Sequence, residues 1–330
     1  MSSINDVAEH AGVSRQTVSN VLNNPERVRD ETRQRVLAAI DELDYHPNRR
    51  AQNLRSRRSH LLGIDVAEMG SHEVSPVIDR FIHALSVEAS HHGYHVLLFP
   101  RTGDATQSHV PLHETHTVDG FVLVDTEPDD ARAAVLVQAQ VPFVAFGRTG
   151  GRLRHDVVDV DGAAGGRAIA EELAASGCER PAFVAWPEGS LAGEERLAGF
   201  KDGWRAAGHD PEHLQVVRRL NRVSDGVDAA QTLVDRSPAP DAIVAVSDLL
   251  AVGVVRGLRS RSLRPGRDLR VIGYDDAPIA AHLDPPLTTV RQPLQAVAAR
   301  IIARFLARLD DPDAPVAEEL LAPQLVIRET

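Results

Sequence analysis

Arg15, Gln16 and Asn20 sit close together in the segment Ser14–Asn23, on what reads as the exposed face of one short helix. Their side chains suit base recognition: an arginine fork pairs bidentately with a guanine edge, and a glutamine or asparagine amide with adenine. Ser14, Thr17, Ser19 and Asn23 surround them with short polar groups of the kind that anchor phosphate oxygens. The elements that position these residues are legible too. Ile4, Val7, Ala8 and Ala11 repeat at i, i+3, i+4, i+7, which predicts a first helix with one buried face. Ser3, with Asp6 three residues on, has the form of a capping box. Gly12 supplies the positive φ of a tight turn. Ser14 then caps a second helix whose apolar face is Val18, Val21 and Leu22. Two short helices across a glycine turn make a helix-turn-helix, whose second helix enters a DNA major groove with its N-terminal side chains at the bases. An ordinary helical hairpin is the alternative, but the caps, the turn and the polar exposed face all agree on the first reading.

The charge distribution bears on the same point. The net charge of −11 argues against a uniformly basic DNA binder, yet residues 1–60 carry ten arginines against eight acids, and residues 61–330 carry 26 basic against 39 acidic residues. Arg49, Arg50, Arg55, Arg57 and Arg58 form a basic run without an acid. Phosphate contact needs a local patch, not a basic protein, and an acidic body discourages non-specific binding to DNA. A chain of 330 residues is too long for one core, so two or three domains are expected. Cys178, the single cysteine, excludes an internal disulfide or a cysteine-built metal site and suits a reducing compartment. Neither a signal sequence nor an eighteen-residue apolar run is present, which points to a cytoplasmic protein without a membrane partner.

A third helix is predicted over Asp30–Leu43, ended by Tyr45-His46-Pro47-Asn48, and a marginal basic helix over Asn48–Ser56. From Leu61 the pattern changes to alternating strands and helices. Strands are expected at Leu61–Val66, His95–Phe99, Gly120–Val124, Pro142–Phe146, Val157–Val160, Pro181–Trp186, Ala242–Val246, Arg270–Gly273 and Gln324–Arg328. Amphipathic helices fall between them. Repeated βα units imply parallel, doubly wound sheets; about ten strands exceed one small sheet, so two lobes are expected, with a ligand in the cleft between them. The fold class is an all-α helix-turn-helix domain plus an α/β core of two Rossmann-like lobes.

Other signals carry less. Eight of the fifteen histidines fall between His72 and His116, and His109 and His113 have the i, i+4 spacing of helical metal ligands. Without carboxylate or cysteine partners at fixed spacing, a solvated histidine-rich face is the better reading, and no metal is expected. Pro111 is expected to interrupt the helix there. Gly162, Gly165 and Gly166 open a helix after a strand but lack a complete phosphate-loop pattern, so lobe packing explains them better. No nucleophile elbow, zinc-protease motif or paired acid/base constellation appears, so neither a catalytic site nor a cofactor is expected.

Taken together, Asp6-Val7-Ala8, Ala11-Gly12-Val13-Ser14, Thr17-Val18-Ser19 and Leu22-Asn23 closely resemble the N-terminal motif of the LacI/GalR family of bacterial transcription repressors. Tyr45-His46-Pro47-Asn48 with Ala51 and Leu54 resembles the family's hinge; Gly273-Tyr274-Asp275-Asp276 and Pro286–Pro293 resemble its late core signatures. The resemblance spans essentially the whole chain. It implies a homodimer on pseudo-palindromic operator DNA, with core lobes similar to periplasmic sugar-binding proteins. It also implies crossings between lobes near Val157–Asp161, Thr288–Arg291 and Leu320–Ala322. The corresponding division is 1–47 for the DNA-binding domain, 48–60 for the hinge and linker, 61–158 with 291–320 for one lobe, and 159–290 with 321–330 for the other.

The resemblance further implies that Arg15, Gln16 and Asn20 read bases. Leu54, flanked by Ala51 and Arg55, would wedge into the minor groove; on its own terms it is a leucine in a basic segment with no core to join. Ser75, Pro76, Asp125, Arg196, Asn221, Ser247 and Asp275 match effector-binding positions. An arginine fork facing an aspartate can clamp vicinal sugar hydroxyls, so a sugar or small glycoside is the expected effector, with a purine or nucleoside second. Asn221 stands where sugar binders often carry an aromatic. For Arg196 and Asp275 the plain alternative is a structural ion pair. A sugar-binding transport protein is the rival from another class, and an enzyme with a fused DNA-binding domain is the third. No leucine-heptad tail follows the last strand, so a tetramer built from one is not expected.

Overall fold

The computed structural model describes residues 2–23, 25–45, 58–66, 76–101 and 104–330, and the chain divides into two units, 1–59 and 60–330. The expected helix over Asn48–Ser56, together with Ala51, Leu54, Arg55 and Ser75, lies outside the described residues.

In the first unit, α1 (Ile4–His10) starts at the predicted capping box: Ser3 Oγ accepts from Asp6 N, and Ser3 N donates to Asp6 Oδ2 at 2.7 Å. Gly12 takes φ +61° in the turn to α2 (Arg15–Asn23). α3 (Asp30–Glu42) ends one residue short of the expected Leu43. Val7, Ala8, Ala11, Val18, Val21, Val36, Ala39 and Tyr45 form the small core, as the periodicity of the three helices requires.

The second unit contains two parallel sheets. β1 (Leu61–Val66), β2 (His95–Pro100), β3 (Gly120–Leu123), β4 (Phe143–Phe146), β5 (Asp156–Val160) and β11 (Glu318–Leu321) lie in the order β11-β5-β4-β3-β1-β2. β6 (Pro181–Ala185), β7 (Gln215–Arg218), β8 (Ala242–Ala245) and β9 (Arg270–Ile272) lie in the order β7-β6-β8-β9. Every neighbouring pair in both sheets is parallel. A short antiparallel pair, β10 (Thr289–Arg291) with β12 (Gln324–Val326), joins them. Helices α4 (Pro76–His91), α5 (Ala105–Glu114), α6 (Ala131–Gln138) and α11 (Leu294–Asp310) serve the first sheet. The second is flanked by α7 (Gly162–Ala175), α8 (Leu191–Ala206), α9 (Val223–Val234) and α10 (Asp248–Ser260).

β10, in the expected crossing Thr288–Arg291, and the two strands β7 and β11 were not expected as strands. β7 and β11 lie at sheet edges, where β11 alternates exposed and half-buried residues and so lacks the continuous apolar run of an interior parallel strand. β11 also occupies part of the segment expected to be a crossing, and the first sheet extends through Val160. Two further expectations are corrected. Pro111 lies inside a continuous α5, which loses one backbone hydrogen bond there but is pinned by buried Ala105 and His109. The histidines do not form one solvated face: His109 is 1% exposed, with Nε2 3.7 Å from the buried Asp65 carboxylate. His91 and His92 are exposed beside Glu88. Among the described residues no group of three or more potential ligands could hold a metal ion.

The glycines of α7 pack one lobe internally. A Cβ on Gly166 would lie 2.6 Å from Phe200 N and still closer to the Arg196 carbonyl, so α7 and α8 touch backbone to backbone.

Candidate functional site: a DNA-reading helix and an effector cleft

On α2 the predicted contact residues form a connected polar surface. Arg15 and Gln16 are exposed, and Gln16 Nε2 donates to Asn20 Oδ1 at 3.0 Å, which fixes both amides in register one turn apart. Ser14 Oγ accepts from Thr17 N at 3.1 Å and meets Thr17 Oγ1 at 2.9 Å, so Ser14 is engaged as the helix cap. Ser19 is half-buried. Asn23 closes α2, and its side chain is outside the described features.

In the second unit, strand order creates two switch points, between β1 and β3 and between β6 and β8, where the chain turns to opposite sides and a crevice opens beyond the carboxyl ends. The candidate effector residues fall there. Pro76 begins α4 after β1. Asp125, after β3, takes φ +52° and stays exposed, with Arg101 Nη1 3.6 Å away. Beyond β8, Ser247 caps α10 and donates through Oγ to Asn221 Oδ1 at 2.6 Å.

Arg196, from α8, is 8% exposed and donates through Nη1 to the Val246 carbonyl at 2.7 Å; the same nitrogen lies 3.6 Å from Asp275 Oδ1. Its guanidinium carbon sits 3.8 Å from the Tyr274 ring centroid and 5.1 Å from that of Trp186. These stacked faces hold the fork in place by cation–π attraction. Asp275, 7% exposed, accepts from Gln292 Nε2 at 2.8 Å, and burial pushes its carboxyl up to about 6 against the opposing pull of Arg196. Asp248, 1% exposed, is also raised well above the ordinary range, first by burial and then by the charge of Asp275. It accepts from Thr289 Oγ1 and Ala277 N, each at 2.6 Å. One side of the cleft therefore brings together Arg196, Asp275, Ser247 and Asn221. Asp125 and Pro76 belong to the first sheet's crevice.

Four residues that sequence reasoning passed over tie the lobes together. Arg80 on α4 donates to the carbonyls of Asp275 and Asp276 at 3.1 and 2.7 Å. Arg148, after β4, pairs with Glu195 on α8 and reaches Asp159 Oδ2 at 3.3 Å. Burial raises Glu195, with Arg148 opposing and Asp159 adding to the rise. Gln292 follows β10 and holds Asp275. The sequence places Arg148 in a glycine-rich turn far from Glu195, so only the three-dimensional fold brings them into contact.

A helix-turn-helix joined to a two-lobed α/β core with a polar cleft defines a DNA-binding regulator of the ligand-responsive class. Residues 3–48 match the family described as bacterial regulatory proteins, lacI family, and residues 170–330 match the periplasmic binding protein-like domain. The HTH-type transcriptional regulator CelR of Thermobifida fusca is 34% identical over 98% of this chain and 96% of its own. The solved transcriptional regulator CelR–cellobiose complex superposes with a TM-score of 0.73 at 31% identity, covering 100% of this chain and 99% of that one. The lac repressor dimer bound to operator and an anti-inducer gives a TM-score of 0.80 at 28% identity, covering 100% and 98%. The chain belongs to the lacI family of bacterial transcriptional regulators. Among the described residues, no helix is long and apolar enough to cross a membrane.

Proposed function

We propose that this chain is a homodimeric repressor that binds a pseudo-palindromic operator and loses affinity for it when a sugar occupies the cleft between the core lobes. The observation that carries this reading is the Arg196–Asp275 pair: a buried fork and carboxylate at a switch point, 3.6 Å apart, beside the Ser247–Asn221 hydrogen bond. Such a set offers the alternating donors and acceptors that vicinal hydroxyls need. The solved relative with cellobiose bound supports a glucoside as the first ligand to try.

In this reading Arg15, Gln16 and Asn20 read bases, and Ser14, Thr17, Ser19 and Asn23 hold phosphates. Residues 1–47 form the reading head and 48–60 the hinge, with Leu54, Ala51 and Arg55 at the minor groove. Ser75, Pro76 and Asp125 face the sugar from the first lobe. Ligand shifts the population of lobe arrangements, and the hinge transmits the shift to the operator.

The test is a thermal-shift screen of mono- and disaccharides, sugar phosphates and nucleosides on the wild type and Arg196→Ala. A sugar that raises the melting temperature of the wild type alone supports the reading, and its recovery unchanged separates a regulator from an enzyme. Stabilisation by nucleosides and by no sugar would overturn the sugar assignment.

A further inference from the structure

Trp186 directly follows β6, at the switch point between β6 and β8, where Val246 and Ser247 follow the neighbouring strand. The indole is half-buried. One face carries the Arg196 guanidinium at 5.1 Å, and the first turn of α8 lies against its edge, where a Cβ on Gly193 would be 3.0 Å from Cε3. Its Nε1–H is shielded from solvent and has no acceptor, and the Arg196 Nε–H beside it is also buried and unpaired. A buried donor left without an acceptor is a standing cost, and two neighbouring ones at the strand ends beside the candidate effector residues point to an acceptor that arrives from outside. Both groups can only donate, so that acceptor is an oxygen or nitrogen lone pair.

Charge narrows the ligand class. Arg196 is matched by Asp275, Arg148 by Glu195 and Arg218 by Glu194, so these three arginines, already neutralised, favour an uncharged ligand over an anionic one. Asn221, at a position where sugar binders often carry an aromatic, spends its Oδ1 on Ser247 and offers no ring to stack on.

We propose that Trp186 is the ring-reading residue of the effector cleft: its indole packs against the face of an uncharged pyranose, and its Nε1–H and the Arg196 Nε–H donate to oxygens of that sugar. This rests on the cleft being the effector site. Trp186 thus supplies the platform that Asn221 does not, from a different strand end.

The chain has only two tryptophans, and Trp204 is 3% exposed and stacked between Phe200 and His209, so a ligand-induced change in emission reports on Trp186. The experiment titrates the full chain, wild type, W186F and W186L, with cellobiose, glucose and glucose 6-phosphate by calorimetry and intrinsic fluorescence. Cellobiose is expected to shift the wild-type emission, and the shift should vanish in W186F. W186F should bind about tenfold more weakly, the loss of one hydrogen bond. W186L should bind about a hundredfold more weakly, because the platform goes too. Glucose 6-phosphate should bind more weakly than glucose. W186F keeps the ring's packing and preserves the readout should W186L fail to fold. Wild-type affinity in W186F with an unchanged emission, or tighter binding of glucose 6-phosphate than of glucose, would overturn this inference and leave the sugar-effector reading standing. No binding of any of the three sugars to the wild type would overturn both.

Discussion

Gly162 and Gly166 occupy the same helix, yet alanine at the two positions should act in opposite directions. In a helix, Gly→Ala normally stabilises by roughly 0.5–1 kcal/mol through the unfolded state. At Gly162, in the first turn of α7, a Cβ would find its nearest neighbour, Arg196 Cγ, at 3.5 Å, an ordinary contact, so the normal gain is expected. At Gly166 a Cβ would lie 2.6 Å from Phe200 N, short of ordinary contact at 3.4 Å by about 0.8 Å, and tighter still against the Arg196 carbonyl. Those atoms are backbone, so relief requires moving α7 away from α8. Overpacking of this kind costs about 1–3 kcal/mol, which outweighs the propensity gain. Urea unfolding followed by circular dichroism should show a higher midpoint for Gly162→Ala and a lower one for Gly166→Ala, with unchanged slopes. Since the displaced carbonyl belongs to Arg196, Gly166→Ala should also weaken sugar binding. Equal midpoints, or a more stable Gly166→Ala, would refute the claim that α7 and α8 are in backbone contact.

Other predictions follow from the charges and the reading helix. Asp275, held up at about 6 by burial, must be ionised to pair with Arg196, so cellobiose affinity measured by calorimetry should rise about tenfold from pH 5 to pH 8, and Asp275→Asn should bind weakly and without that dependence. Both Asp248 and Asp275 hold a proton more tightly folded than unfolded, so their stabilising contribution is complete below the ordinary value of 3.8 and is lost as pH rises through their raised folded values, about 6 for Asp275. Asp248→Asn, which keeps an acceptor for Ala277 N and lets the amide donate to Thr289 Oγ1 where the carboxylate accepted from it, should therefore raise the melting temperature at pH 8 relative to wild type more than at pH 4. Gln16→Ala should lower operator affinity about tenfold to a hundredfold and relax base preference at one position, read by competition with substituted duplexes.

How far the sequence discloses this molecule depends on how local each determinant is. Ser3, Asp6, Gly12 and Ser14 set the ends of α1 and α2 through contacts within four residues, so the capping and turn were legible. The interior strands were legible because burial on both faces demands unbroken apolar runs, as in Gly120–Leu123 and Ala242–Ala245. β11 was not, because its pairing with β5 lies more than 150 residues away in sequence and its edge position admits Glu318 and Glu319. Family motifs located Arg196 and Asp275, but their geometry depends on Tyr274, Trp186, Gln292 and Arg80, which meet only through the folded chain. His109 illustrates the opposite error: a histidine among exposed histidines, buried because Asp65 and Arg132 build a charged centre beneath α5 and α6.

The most direct test is the affinity of the full chain for a duplex selected from a random pool, measured by fluorescence anisotropy with and without saturating cellobiose. For the wild type, the account predicts at least about a tenfold loss of DNA affinity with sugar, the scale of ordinary allosteric coupling, and no loss for Arg196→Ala. Equal DNA affinity with cellobiose bound and absent would contradict it.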